Sequence, residues 1–238
     1  MQYYQDKNLY YFRKPAGIPS TFWKEKSFVE LLLDAEKGEN KETTMIPTNI
    51  VASLSAFFWT EKELWLLNRL DNDTSGLLYF AKNPRVYTTF RQMQSERQLE
   101  KWYVAEVYGD ISQLLKAPQS SKGHYSHQNG QIKITTPLAH HRYNTDRMVT
   151  IVSPSDIKKT KWTVHHLTTT ITEFQFLPAT RTSILLIKIH KGLRHQIRAH
   201  LASVGHPICG DRVYVKSSHQ TYDKLQLFSV GLTTSKEI

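Results

Sequence analysis

Asn68-Arg69-Leu70-Asp71-Asn72-Asp73-Thr74-Ser75-Gly76-Leu77-Leu78-Tyr79-Phe80-Ala81-Lys82 reads as a strand that enters a tight polar turn and leaves it as a second strand. The turn presents Asp71 and Asp73 beside Arg69, and Gly76 lets the chain return. A loop held between two rigid strands is a good mount for a reactive carboxylate. The same spacing also describes an Asx-rich β-turn, in which Asp and Asn side chains bond only nearby backbone N–H groups. Spacing alone favours that plainer reading. Two aspartates two residues apart in one turn give no evidence of the separation across a substrate that a glycosidase pair requires.

Working outward, short strand-like runs dominate: Leu64 to Leu70, Leu77 to Ala81, Trp102 to Tyr108, Met148 to Val152 and Ser183 to Ile189. Two helices stand between them. The first opens with Asn83 as N-cap and Pro84 at the first helical position, and places Val86, Phe90 and Met93 on one face. The second places Ile197, Leu201 and Val204 on one face and stops at Gly205 and Pro207. Strands outnumber helices and do not alternate with them in βαβ fashion, which predicts an α+β fold with a mixed, mainly antiparallel sheet. Lys116 to Gln131, rich in turn formers, and Ser153 to Lys161, with Pro154 and three lysines, read as exposed surface segments.

The chain has 238 residues, enough for one large domain or two small ones. Its 39% apolar content can supply a core, which argues against wholesale disorder. No apolar run approaches the roughly 18 residues of a membrane helix. The start, Met-Gln-Tyr-Tyr-Gln-Asp, lacks the basic and apolar regions of a secretory signal, so a cytoplasmic location is expected. The single cysteine, Cys209, excludes an internal disulfide and any multi-cysteine metal site. A formal charge of +10 makes a polyanion, most simply nucleic acid, a plausible partner, although solvated lysines alone can give such a charge.

Two further segments carry chemistry. Lys101-Trp102-Tyr103-Val104-Ala105-Glu106-Val107-Tyr108-Gly109 is a strand bearing an aromatic hydroxyl. Gly192-Leu193-Arg194-His195-Gln196-Ile197-Arg198-Ala199-His200-Leu201 opens the second helix with Arg194 and Arg198 four residues apart, hence on one face. With the Asp71 turn they offer a carboxylate, a phenol and a guanidinium.

At this point the sequence resembles the RluA-type RNA pseudouridine synthases. Lys14-Pro15-Ala16-Gly17-Ile18-Pro19 is similar to their opening motif, and residues 68 to 78 to the signature H-R-L-D-x-x-T-S-G-L-L. The K-x-Y-x-A-x-V-x-G strand falls on residues 101 to 109. G-R-x-H-Q-I-R-x-H-L falls on 192 to 201, and G-x-P-I-x-G-D-x-x-Y on Gly205 to Tyr214. Five motifs in the correct order, spanning roughly residues 8 to 228, are far harder to meet by chance than one short pattern.

The resemblance implies a single catalytic domain over residues 1–238, without the small N-terminal RNA-binding domain that many relatives carry, binding RNA in a basic cleft. It implies Asp71 as nucleophile, Arg198 as the cation paired with it, and Tyr103 as the ring stacked on the uracil and a candidate base for the C5 proton. Arg69 matches the arginine that helps hold the extruded nucleotide, and Asn68, Thr74, Arg194, His195 and Gln196 are the accompanying RNA contacts. The expected partner is a structured hairpin of ribosomal or transfer RNA. No cofactor is implied, because the isomerisation needs neither redox chemistry nor an energy source, and neither a membrane nor an obligate protein partner is inferred.

The sequence departs from the pattern at three places. Asn68 replaces the usual His. Leu193 replaces the first arginine of the helix motif while Arg194 stands one place later, so the phosphate contact is expected to move and a Thr that could cap the helix is lost. Lys116 to Ala179 keeps only the family's outline.

Two other readings compete. Eleven histidines invite a metal site, but His195 and His200 are five apart, off the shared face that a zinc pair needs, and no Cys or Glu completes a set. Contact with RNA, or a place on the surface, is the expected use of these histidines. The serious rival is a catalytically inactive RNA-binding protein on the same scaffold, with Arg85, Arg91, Arg97 and Lys101 as a basic track for phosphates or simply a solvated face. Retention of Asp71, Tyr103 and Arg198 together favours the enzyme, since binding alone requires none of them at those places.

Overall fold

A computed structural model of the chain describes residues 3–21, 26–36, 65–116, 125–215 and 222–234. Its contacts divide into two compact units, Met1–Leu99 with Phe228–Ile238, and Glu100–Leu227.

In the first unit, strands β1 (Tyr3–Gln5), β2 (Leu9–Lys14), β3 (Ser75–Ala81) and β12 (Leu227–Thr234) lie side by side in that order. β2 and β3 pair antiparallel from Leu9↔Ala81 to Lys14↔Gly76. β12 joins β3 in parallel, with Ser229 opposite Gly76. A Cβ added at Gly76 (φ +112°) would lie 2.2 Å from the Ser229 carbonyl oxygen. This glycine is therefore required by the close approach of a neighbouring strand as well as by its backbone conformation.

Helix α1 (Phe28–Glu36) opens with a capping box. The Glu30 backbone N–H donates to Ser27 Oγ (3.2 Å), and the Ser27 N–H donates to the Glu30 carboxylate (2.7 Å). Helix α2 (Pro84–Ser95) forms as its sequence predicts. Asn83 Oδ1 accepts the Val86 N–H at 3.0 Å, Pro84 stands in the first turn, and Val86, Phe90 and Met93 are buried. They pack with Leu9, Leu67, Tyr79, Ala81 and Leu99 into one apolar cluster.

One expectation fails in this unit. Leu64 lies outside the described residues, and the rest of the expected strand from Leu64 to Leu70 is reduced to a single bridge, Leu66 with Phe80. Trp65 takes a left-handed φ of 50°, which breaks the ladder. Asn68 then bonds to β3 through its side chain: Nδ2 donates to the Leu77 carbonyl (3.2 Å) and Oδ1 accepts the Tyr79 N–H (2.9 Å). The amide supplies the pairing that the backbone of residue 68 does not, which frees the chain to turn into the Asp71 loop.

In the second unit, β4 (Leu99–Tyr108), β11 (Thr182–Ile189), β10 (Thr169–Leu177), β6 (Gln131–Ile134) and β5 (Tyr125–Gln128) follow one another across a sheet. A smaller sheet runs β8 (Met148–Thr150), β7 (Leu138–His141), β9 (Thr160–His165). The short helices α3 (Gln113–Lys116) and α4 (Pro154–Ile157) and the helix α5 (Gln196–Ser203) complete it. Within the two units the strands pair antiparallel, β3 with β12 excepted, so the α+β class and mixed, mainly antiparallel sheet expected from the sequence hold. The expected loop from Lys116 to Gln131 is a hairpin in its described part. Asn129 and Gly130, with φ of 50° and 76°, make a tight turn of the Asn-Gly kind between β5 and β6.

Helix α5 differs from its sequence reading in an instructive way. Ile197 and Leu201 are buried as predicted, but every residue from Gln196 to Leu201 is buried, so the helix has no solvated face over that span. Its end is the expected one: the Gly205 N–H donates to the Ala202 carbonyl (3.1 Å) and the His206 N–H to the Leu201 carbonyl (3.0 Å), the two bonds of a Schellman stop with Gly205 at φ +89°.

Candidate active site

Asp71 stands in the first unit, half-buried, between two residues whose backbones are gripped from the motif at 14 to 20. Ser20 Oγ donates to the Leu70 carbonyl (2.9 Å) and accepts the Leu70 N–H (3.0 Å), doing with one hydroxyl what a paired strand does with two backbone groups. The Asn72 carbonyl accepts from the Gly17 N–H (2.8 Å) and from Lys14 Nζ (2.9 Å). The Thr74 N–H closes the turn on the Asp71 carbonyl (3.0 Å). The carboxylate thus projects from a backbone that is fixed on both sides, the pre-organisation a nucleophile needs.

Lys14 holds this arrangement. Its side chain is fully buried, and its ammonium spends its three donors on the carbonyls of Pro15 (2.9 Å), Ile18 (2.7 Å) and Asn72. Burial lowers its pKa to about 8, against the opposing pull of the Asp73 and Asp71 carboxylates. The sequence reading used this lysine as part of a motif and gave it no role. The signal available was a lysine between Arg13 and a Pro-Ala-Gly turn at the end of an apolar strand.

In the second unit Tyr103 lies on β4, opposite Ile187 of β11, on the face that buries Lys101, Tyr103, Ala105 and Val107 in alternation. Arg198, on α5, is almost wholly buried and lies flat against Asp211. Nε donates to Oδ2 and Nη2 to Oδ1, both at 2.8 Å. Asp211 Oδ1 also accepts the N–H groups of Val213 (2.9 Å) and Tyr214 (3.1 Å). A bidentate pair with its remaining lone pairs satisfied is the geometry that makes a buried charge tolerable. Tyr214 leans over the pair, with the guanidinium 5.7 Å from its ring centre. Asp211 was missed as a functional partner, although the G-D of the Gly205 to Tyr214 motif marked it.

The other expected RNA contacts divide by exposure. Arg69 is exposed beside Asp71, and Arg194 is exposed, with Nη1 donating to the Thr145 carbonyl (2.6 Å) and Nη2 3.8 Å from Asp146. Asn68 is the buried clamp described above, and its assignment as an RNA contact gives way to that structural role. Gln196 is buried, with Nε2 donating to the Thr168 carbonyl (3.0 Å) and Thr169 Oγ1 (3.2 Å) and Oε1 accepting the Leu193 N–H (3.2 Å). It too braces the fold, because its amide is spent inside. The same chain runs on to His200, whose ring nitrogens lie 2.8 Å from Thr169 Oγ1 and 2.8 Å from the Thr136 carbonyl. The carbonyl fixes Nε2 as the protonated nitrogen, and burial lowers the pKa to about 4. His195, the N-cap of α5 at φ 53°, is buried against Tyr214, and burial, with Arg198 and Arg194 nearby, lowers its pKa to about 3. It is a neutral imidazole in the interior. Thr74 is buried, with its hydroxyl oxygen lacking a hydrogen-bond partner among the described residues.

The basic track Arg85, Arg91, Arg97 and Lys101 is not continuous. Arg85 and Arg97 are exposed, whereas Arg91 turns inward to the Leu66 (2.9 Å) and Leu67 (3.4 Å) carbonyls and Lys101 is buried. Among the described residues no three His, Cys, Asp or Glu side chains converge as a metal site, and no helix is long and apolar enough to cross a membrane.

A family model described as RNA pseudouridylate synthase matches residues 8–203, and the chain belongs to that family. It is 29% identical over 231 residues to an uncharacterized RNA pseudouridine synthase of Aquifex aeolicus, a match covering 94% of this chain and 59% of that one. It is 26% identical over 181 residues to the dual-specificity RNA pseudouridine synthase RluA of Vibrio vulnificus, covering 72% and 60%. A ribosomal large subunit pseudouridine synthase D of Zymomonas mobilis is 27% identical over 161 residues, covering 68% and 42%. The chain thus spans between two fifths and three fifths of these relatives' length. Among solved structures, human RNA pseudouridylate synthase domain containing 1 superposes with a TM-score of 0.65 at 18% identity, covering 99% of this chain and 79% of that one, a likeness of fold.

Proposed function

We propose that this chain isomerises a uridine within ribosomal or transfer RNA to pseudouridine in the cytoplasm, with Asp71 as nucleophile. The observation that carries the reading is the Asp71 turn itself: a half-buried carboxylate between two residues whose backbones are locked by Ser20, Gly17 and Lys14. The names of the relatives include a ribosomal large subunit enzyme and a dual-specificity RNA enzyme, which supports RNA, and ribosomal RNA in particular, as the substrate class.

In the proposed reaction the C1′–N1 bond of the target uridine breaks as the Asp71 carboxylate attacks or stabilises the electron-poor sugar. The freed uracil turns and rejoins C1′ through C5, and any bond between C1′ and the Asp71 carboxylate breaks as it does, so that the carboxylate is regenerated. The proton lost from C5 is matched by one gained at N1, so the overall change is an isomerisation. Tyr103 stacks on the base and is the candidate to take the C5 proton. Arg198 is the proposed cation of the reaction, and its bidentate pair with Asp211 fixes the plane of its guanidinium. Arg69 holds the extruded nucleotide and Thr74 offers its hydroxyl once RNA is in place. A hairpin is the favoured form of substrate, because its loop already leaves bases unpaired and so lowers the cost of extrusion.

The test is to incubate wild type and Asp71→Ala with total ribosomal and transfer RNA and map pseudouridine by carbodiimide-dependent reverse-transcription stops. New stops with wild type that vanish in the variant are expected. If neither protein makes stops while both bind RNA in a salt-dependent way, the inactive RNA-binding scaffold is the better account.

A further inference from the structure

Between β7 and β8 the chain makes a turn, His141-Arg142-Tyr143-Asn144-Thr145-Asp146-Arg147, in which Tyr143 is 82% exposed. A lone exposed aromatic is ordinary on a protein surface. This one is held out by a turn that is bonded from within. His141 Nδ1 accepts the N–H groups of both Tyr143 (3.1 Å) and Asn144 (2.9 Å), and Asn144 Oδ1 accepts that of Asp146 (2.9 Å). Arg194 ties the far side through the Thr145 carbonyl. The ring is therefore presented on a braced support, with little backbone freedom left to lose on binding.

Its surroundings are cationic. From His140 to Lys161 the sequence holds five Lys and Arg against two Asp, and both acids are already engaged, Asp146 by Arg194 (3.8 Å) and Asp156 by Lys159 (2.9 Å). Arg142 lies along β9, its N–H donating to the Lys159 carbonyl (2.7 Å) and its Nε to the Thr160 carbonyl (3.3 Å). Exposed Lys161 stands opposite exposed His140 in the β7–β9 ladder. An aromatic face flanked by fixed positive charges is the pattern that binds single-stranded nucleic acid, the ring stacking on a base and the cations on the phosphates beside it. A duplex has no unstacked base to offer the ring.

We propose that the β7–β8 turn is a second contact site for RNA, at which Tyr143 stacks on an unpaired base outside the reacting position and Arg142 and Lys161 hold the adjoining phosphates. The proposal rests on the reading of the substrate as RNA. It adds that the substrate carries a single-stranded segment in reach of this turn.

The test measures fluorescence anisotropy of a labelled single-stranded oligouridine of about twelve nucleotides and of an RNA duplex of the same length. Tyr143→Ala is expected to weaken the single strand roughly tenfold and leave the duplex unchanged, because stacking is lost while the charges remain. Tyr143→Phe should match wild type, and Tyr143→Leu, which keeps bulk without an aromatic face, should behave as the alanine variant. Arg142→Gln and Lys161→Gln should weaken both probes and each lower the salt dependence by about one phosphate contact. Single-strand binding by Tyr143→Ala equal to wild type overturns the proposal, as does an equal loss on both probes, which would make the turn a charged patch only. The experiment is separable from the assay of Asp71. Tyr143-dependent binding without pseudouridine formation would refute the catalytic reading and keep this site, and pseudouridine formation without Tyr143-dependent binding would do the reverse.

Discussion

Lys14→Met isolates the grip on the Asp71 turn, the proposed seat of the nucleophile. The substitution keeps the apolar stem and removes the ammonium that serves the carbonyls of Pro15, Ile18 and Asn72. Hydrogen bonds to a charged donor contribute about 1.5–3 kcal/mol each. Against that stands the burial cost of the charge: a pKa drawn down from 10.5 to about 8 corresponds to about 3 kcal/mol of penalty that methionine does not incur. The net loss is about 2–5 kcal/mol, since Asn72 keeps its Gly17 partner. For a chain of this size that lowers Tm by about 10 °C. The rate should fall further than the stability, because a displacement of about 1 Å in a catalytic group can cost about a hundredfold. The wild-type pH profile carries a second signature. Above pH 8 the folded protein releases a proton that the unfolded chain keeps up to pH 10.5, so this group adds stability across that window rather than removing it. The neutral amine, however, has only two donors for three carbonyls. Single-turnover pseudouridine formation should therefore decline above about pH 8 while Tm does not fall on this account, and the decline should be absent from the residual activity of Lys14→Met. A methionine variant with wild-type Tm and rate, or one that retains the same alkaline limb, would refute the reasoning.

Two further predictions follow from the buried groups. His200, neutral between Thr169 and the Thr136 carbonyl, has its pKa lowered from 6.5 to about 4, so the unfolded chain takes up a proton first as pH falls; about 3 kcal/mol of stability should be lost between pH 6.5 and 4. His195 acts in the same direction, and urea unfolding of wild type against His200→Gln should show a shallower acid slope in the variant. Gly76→Ala places a methyl where the Ser229 carbonyl oxygen stands 2.2 Å away and should cost about 3 kcal/mol or more, read as a large fall in Tm; an unchanged Tm would mean that β3 and β12 do not approach as described.

The parts of the fold that could be read from sequence are those set by local chemistry. Asn83 and Pro84 begin α2 because capping and a fixed φ act within one turn, and Gly205 ends α5 for the same reason. The strand expected from Leu64 to Leu70 failed because its pairing passes through a side chain: Asn68 bonds to β3 with its amide, and no alternation of apolar residues reports that. The Asn129-Gly130 hairpin was within reach, since that dipeptide between alternating residues is a strong turn signal, but the polar composition around it outweighed the signal.

The candidate site divides along a similar line. Residue types in order were enough to nominate Asp71, Tyr103 and Arg198, whereas the roles within His195-Gln196-Ile197-Arg198-Ala199-His200 were not legible, because a helix buried on all sides turns polar side chains inward as readily as outward. Gln196 and His200 form an internal chain through Thr169, and Arg198 meets Asp211 thirteen residues later in the sequence. The replacement of the motif's arginine by Leu193 finds its reason in the same place. Leu193 packs on the cluster of Leu138, Met148 and Ala199, while Arg194, one position on, reaches the β7–β8 turn that presents Tyr143. An arginine moved by one residue thus braces the turn that presents Tyr143, which links this departure from the family pattern to the proposed second contact site.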